Sequence, residues 1–132
     1  MNTTTQIKKK VLVIDDNSGI LFIMQKALAM KEYDVHVSET FTGVEAIKRI
    51  SPDLIYLDVS LVGQDGCEIA KTLKSTRRTK HIPIIILTAY PNAEQLTEEA
   101  GADDYLPKPF ELEHLWEMTA QYTSGPKKGL IV

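Results

Sequence analysis

The chain has one cysteine, Cys67, so no disulfide can form within it, and a reducing compartment suits it. It has no apolar run near the roughly 20 residues that a bilayer-crossing helix requires, so no membrane association is expected. The first ten residues, MNTTTQIKKK, are polar and lead into an apolar run too short for the core of a signal peptide, which predicts a cytoplasmic chain. Excess positive charge is missing as well. The net charge is -3, and the basic clusters KKK (8–10), RRTK (77–80) and KK (127–128) are short and fall at element ends or tails, where solvated lysines are ordinary. Direct nucleic-acid binding is therefore not expected. His36, His81 and His114 are scattered without metal-ligand spacing, and nothing around them suits a histidine phosphocarrier.

What is present is the composition of one soluble globular domain: 132 residues, 43% hydrophobic and 25% charged. Four apolar runs, VLVI (11–14), VHV (35–37), LIYL (54–57) and IIIL (84–87), lack period-2 alternation, the pattern of parallel strands covered on both faces. Helical periods lie between them. Ile20, Ile23, Met24, Ala27 and Leu28 follow the capping residues Asn17 and Ser18, and Val44, Ile47 and Ile50 follow Thr42 and must stop near Pro52. Ile69, Ala70 and Leu73 mark a third helix, and Leu112, Leu115, Trp116 and Thr119 the last. NAEQLTEEAG (92–101) has a thin apolar face of Ala93, Leu96 and Ala100 and ends on a capping glycine, so it reads as a weakly anchored helix. A short fifth strand falls at 104–106. Five strand and helix alternations with right-handed crossovers predict an α/β doubly wound parallel sheet. The boundaries read as an N-terminal tail (1–8), one domain (9–122) and a C-terminal tail (123–132) expected to be disordered.

In such sheets ligands bind beyond the carboxyl ends of the strands. Here those ends carry Asp15 and Asp16, then Asp58, Thr88 and Lys108. An isolated Asp at such a position is ordinarily a turn or cap residue. Four segments converging on one edge ask for more, because three carboxylates repel one another unless a cation joins them. Mg²⁺ prefers oxygen ligands and is commonly held by one or two carboxylates plus phosphate. A carboxylate beside it is a credible nucleophile toward a phosphoryl group, with the Lys108 ammonium and Thr88 hydroxyl to meet the phosphoryl oxygens.

The ordered set VLVIDDN, LIYLDVSLVGQDG, IIILTA and GADDYLPKPF resembles the receiver domain of two-component response regulators, of the single-domain chemotaxis-like type, over residues 9 to about 121. The resemblance implies a flavodoxin-like sheet of five strands in order 2-1-3-4-5 with five helices. It implies a phosphoacceptor at Asp58, Mg²⁺ at Asp16, Asp58 and the Ser60 carbonyl with help from Asp15, phosphoryl contacts from Thr88 and Lys108, and a switch formed by Thr88 and Tyr105. Ser60 and Tyr90 resemble positions that tune phosphoryl lifetime, and Lys108-Pro109 matches a cis bond. Leu61 and Val62 stand where the family often has Met-Pro, and with Gly63 they give a looser loop. Pro107 is also unusual.

The resemblance implies a phosphoprotein signalling module rather than an enzyme. A histidine kinase or histidine phosphotransfer protein would phosphorylate Asp58, and a protein partner would read the face of the fourth helix, fifth strand and fifth helix. With no output domain in the sequence, a stand-alone regulator is the leading expectation and a fragment of a longer one the alternative. An aspartyl-nucleophile phosphohydrolase would want a second carboxylate just after the nucleophile, and residues 59 to 64 hold none. A flavodoxin-like cofactor binder would want a glycine-rich phosphate loop where DDNSG stands.

Overall fold

The computed structural model describes residues 7 to 124. The expectation of a disordered C-terminal tail falls almost wholly outside that range. Five strands, β1 (Lys10–Ile14), β2 (Asp34–Ser38), β3 (Leu54–Asp58), β4 (Ile84–Thr88) and β5 (Asp104–Pro107), alternate with five helices, α1 (Ser18–Ala29), α2 (Val44–Ile50), α3 (Gly66–Ser75), α4 (Ala93–Ala100) and α5 (Leu112–Thr123). The sheet is parallel, as the alternation predicts, in the order β2-β1-β3-β4-β5 that the resemblance implies. No helix among the described residues is long and apolar enough to cross a membrane.

The unbroken apolar runs have a direct cause. In β1, β3 and β4 successive side chains enter two different cores, so both parities must be hydrophobic. Leu12, Ile14, Ile55, Leu57, Ile84 and Ile86 meet Ile47, Ile69, Leu73 and Ala100 beneath α2, α3 and α4. Val11, Val13, Leu54, Tyr56, Ile85 and Leu87 meet Leu21, Met24, Leu28, Leu115 and Met118 beneath α1 and α5.

Local signals set the helix ends. The Asn17 carboxamide accepts from Ile20 N, the Asp65 carboxylate accepts from Cys67 N, and Gly101 closes α4 in the left-handed conformation. Ser51, just before Pro52, leaves the right-handed helical region at φ 54° and ends α2. Two placements differ from the periodicity. Ile23 is 48% exposed, because it lies roughly 100° around α1 from the centre of the buried stripe, which takes Leu21 instead. Leu112, in the first turn of α5, is also exposed. At the opposite end, α5 runs to a buried Thr123.

Below the sheet, Lys74 Nζ lies 2.7 Å from Asp103 Oδ2 and also donates to Ile82 O, while Asp103 accepts from Ile84 N. This staple joins the end of α3 to the start of β4 and the entry to β5, and so fixes the strands whose far ends carry the polar cluster.

Candidate phosphoacceptor site

Parallel pairing brings Asp15, Asp58, Thr88 and Lys108 to one edge of the sheet. Asp15 and Thr88 are buried, Asp58 is 4% exposed, and Asp16 is half-buried. One carboxylate oxygen from each of Asp15, Asp16 and Asp58 lies within 4.8 Å of the others. The Lys108 ammonium enters between them, 2.8 Å from Asp15 Oδ2 and 3.6 Å from Asp58 Oδ1. Its backbone is fixed by donation from Lys108 N to Thr88 O at 2.8 Å, and the following bond to Pro109 is cis.

The carboxylates are individually oriented. Asn17 N donates to Asp15 Oδ1, Ser60 N to Asp58 Oδ1, and Val62 N to Asp16 Oδ2, each at 2.9 to 3.0 Å. Burial raises the Asp58 pKa above the usual carboxylate range; the Ser60 N–H opposes this, Asp15 adds to it, Lys108 opposes it and Asp16 adds again. The charged form of Asp58 is therefore costly with one ammonium to balance three carboxylates. Asp15 Oδ2 is buried, with the Lys108 ammonium beside it at 2.8 Å. An oxygen-only donor set and an excess of negative charge, three carboxylates against one ammonium, together fit a hard divalent cation.

The site's rim joins two loops. Ser60 Oγ donates to the Tyr90 hydroxyl at 3.2 Å, and Tyr90 N donates to Thr88 Oγ1 at 3.0 Å. Tyr90 itself is 54% exposed. Tyr105 pairs with Ile86 in register, two residues along β5 from Pro107, the partner of Thr88, and packs half-buried on the α2–α4 side.

Two residues escaped the sequence reading. Gly66 opens α3 so close to Asp58 that a Cβ there would stand 2.2 Å from the Asp58 carbonyl oxygen and 2.6 Å from Val59 Cα. Only glycine allows that approach. Its signal was available in a glycine directly after the capping Asp65. Gln64 ties the loop that follows Asp58 to the one that follows β2, and nothing in its spacing announces this.

The model of the response regulator receiver domain matches residues 11–120. The response regulator MprA of Mycobacterium sp. (strain KMS) is 38% identical over 111 residues, covering 80% of this chain and 46% of its own length. The chain thus spans under half of that relative. Vibrio cholerae chemotaxis protein CheY4 superposes with a TM-score of 0.80 at 26% identity, covering 88% of this chain and 99% of that one. The receiver domain of the sensor histidine kinase PA1611 from Pseudomonas aeruginosa PAO1, solved with a magnesium ion in its active-site cleft, superposes with a TM-score of 0.81 at 24% identity, covering 90% and 100%. With its sheet order, its converging strand ends and this match over most of its length, the chain belongs to the response regulator receiver domain family.

Proposed function

We propose that this chain is a phosphoacceptor module in which Asp58 takes a phosphoryl group from a histidine kinase or histidine phosphotransfer protein, and that the modified form signals through a protein-binding face. The observation that carries the reading is the Asp58 carboxylate at the end of β3, with Lys108 Nζ 3.6 Å away and the oxygens of Asp15 and Asp16 within 4.8 Å.

An Asp58 oxygen attacks the phosphorus. The bond from phosphorus to the donor nitrogen breaks, and its electron pair returns to the imidazole. Lys108, already paired with Asp15, meets the charge on the phosphoryl oxygens. Thr88 Oγ1 accepts from Tyr90 N and has its own hydrogen to give to one of those oxygens. Asp15, Asp16, Asp58 and the Ser60 carbonyl are the groups that would hold Mg²⁺, which would neutralise the transferring phosphate. The product carries about -1.5 to -2 charge where the carboxylate carried -1. Thr88 drawn toward that charge and Tyr105, on the same face of the sheet, form the switch, read by a partner on α4, β5 and α5. Tyr90, bonded to Ser60 at the rim, shields the acyl phosphate from water.

Intact mass spectrometry with acetyl phosphate and Mg²⁺ tests the reading. One phosphoryl adduct is expected, absent in Asp58→Asn and with chelator. Tyr90→Ala should lose the adduct faster, by about threefold or more on the scale of one removed shield. No adduct on the wild-type chain, from acetyl phosphate or from phosphorylated kinase, would end the proposal; an unchanged lifetime in Tyr90→Ala would end the shielding role alone.

A further inference from the structure

The loop that follows Asp58 is turned at Leu61–Gln64, where Gln64 N donates to Leu61 O at 3.2 Å and Gly63 takes φ 72°. A positive φ at the third position of a turn calls for glycine. The two ends of this turn are anchored differently. Leu61 is buried in the core under α2, α3 and α4. Gln64 is held by hydrogen bonds: its Oε1 accepts from Phe41 N and from Thr40 Oγ1, both at 3.0 Å, and its Nε2 donates to Phe41 O at 2.9 Å. The carboxamide thus engages both backbone groups of Phe41 as a neighbouring strand would. Phe41 in turn packs against the core. Between the anchors stand Val62, 83% exposed, and Gly63. The Val62 N–H is the group that donates to Asp16 Oδ2 at 2.9 Å.

We infer that Gln64 is a positioning residue for the cation site: by clamping the turn to the β2–α2 loop it fixes the Val62 N–H, and through it the Asp16 carboxylate. The inference rests on the reading of Asp16 as a metal-site carboxylate. Without a proline to stiffen residues 61–62 and with a glycine at 63, the loop has conformational freedom to lose, and the Gln64 clamp removes it from one end. Groups that orient a ligating carboxylate commonly govern metal affinity.

The test is an NMR titration of amide resonances with MgCl₂ on wild type, Gln64→Met and Tyr56→Phe. Gln64→Met keeps the length and loses all three bonds; Tyr56→Phe is a control that loosens the α1–α5 side of the sheet, opposite the turn, without touching the clamp. Gln64→Met should weaken Mg²⁺ binding by roughly threefold to tenfold, one step removed from a direct ligand contact, and the Val62 amide should move even before Mg²⁺ is added. Tyr56→Phe should bind as wild type does. A Gln64→Met protein that binds Mg²⁺ like wild type, or a Tyr56→Phe protein equally weakened, overturns the inference. Where Gln64→Met does not fold, Thr40→Val removes one of the three bonds, and a smaller loss in the same direction is expected; no loss counts against it. A wild-type chain that binds no Mg²⁺ and takes no phosphoryl group brings down the receiver reading itself. Wild-type binding matched by Gln64→Met brings down only the clamp.

Discussion

Helices α4 and α5 flank the same edge strand, β5, but they are held by different means. α5 is pinned by polar bonds on three sides. Trp116 Nε1 donates to Ala27 O in α1 at 2.8 Å, and the Tyr122 hydroxyl donates to Asp104 in β5 at 2.7 Å. Thr119 Oγ1 donates to Leu115 O, so in its 2.6 Å bond with Tyr56 of β3 the tyrosine is the donor. The same reasoning makes Tyr33 the donor to Thr123, whose hydroxyl donates to Thr119 O. α4 buries only Ala93 and Ala100, with Leu96 half-buried. Its own side-chain bonds, Thr97 to Ala93 O and Gln95 to Glu99, stay within the helix, and Asn92 supplies no side-chain cap. Directional bonds fix a helix in rotation and translation, whereas a stripe of small residues resists neither strongly. A displacement driven from Thr88 should therefore be absorbed by α4, while α5 serves as the wall against which it moves.

The largest expected effect tests that wall. Trp116→Ala removes a ring packed on α1 and its bond to Ala27, and should cost about 3 kcal/mol, at the lower end for a large aromatic because the ring is only half-buried. Leu96→Ala should cost about 1 kcal/mol for the same reason applied to a smaller side chain. Urea denaturation of both variants checks the order. Equal losses would mean that α4 is anchored as firmly as α5, and the contrast would fail.

A second test sharpens the contrast on the phosphorylated form. Hydrogen exchange of the chain held with acetyl phosphate and Mg²⁺, against the same sample of Asp58→Asn, should show α4 amides changing by about tenfold and α5 amides by under about twofold, since local opening follows local anchoring. A change shared equally between the two helices would break it.

Much of this arrangement was legible in the sequence. The positions of β1, β3 and β4 followed from apolar runs because both faces are covered; the run VHV also marked a strand, but β2 is an edge strand with no buried residue, not one covered on both faces. α4 was readable to within a residue at each end because Asn92 and Gly101 bracket it. The cluster of Asp15, Asp16, Asp58, Thr88 and Lys108 was readable because parallel topology forces strand ends together. The pins of α5 and the Gln64 clamp were not. Tyr56 and Thr119 are 63 residues apart, and Gln64 and Phe41 are 23 apart. Such bonds join two individually ordinary residues, have no period, and exist only once the fold has set the distance. Ile23 shows the reverse limit: spacing alone placed it on the apolar stripe, but the face that α1 turns to the sheet is centred about 100° away and takes Leu21 instead.

The smallest effect concerns Tyr122 alone. Burial raises its phenol first, then its bond to Asp104, then the charges of Asp104 and Asp103, taking it to about 12 from an ordinary 10.0. A group whose folded pKa is raised contributes stability in full below the unfolded pKa and loses it as pH rises through the folded one. The folded chain should thus lose stability between about pH 10 and 12, where the unfolded chain gives up this proton first. Tyr56, raised further still by its burial, contributes in the same direction, so the measurement must isolate Tyr122. Denaturant midpoints of wild type and Tyr122→Phe, followed from pH 9 upward, should converge as the wild type loses the advantage of its hydroxyl bond. Parallel curves would mean that the bond to Asp104 does not hold α5 to β5 in solution, and one of the pins that set this helix apart from α4 would be lost.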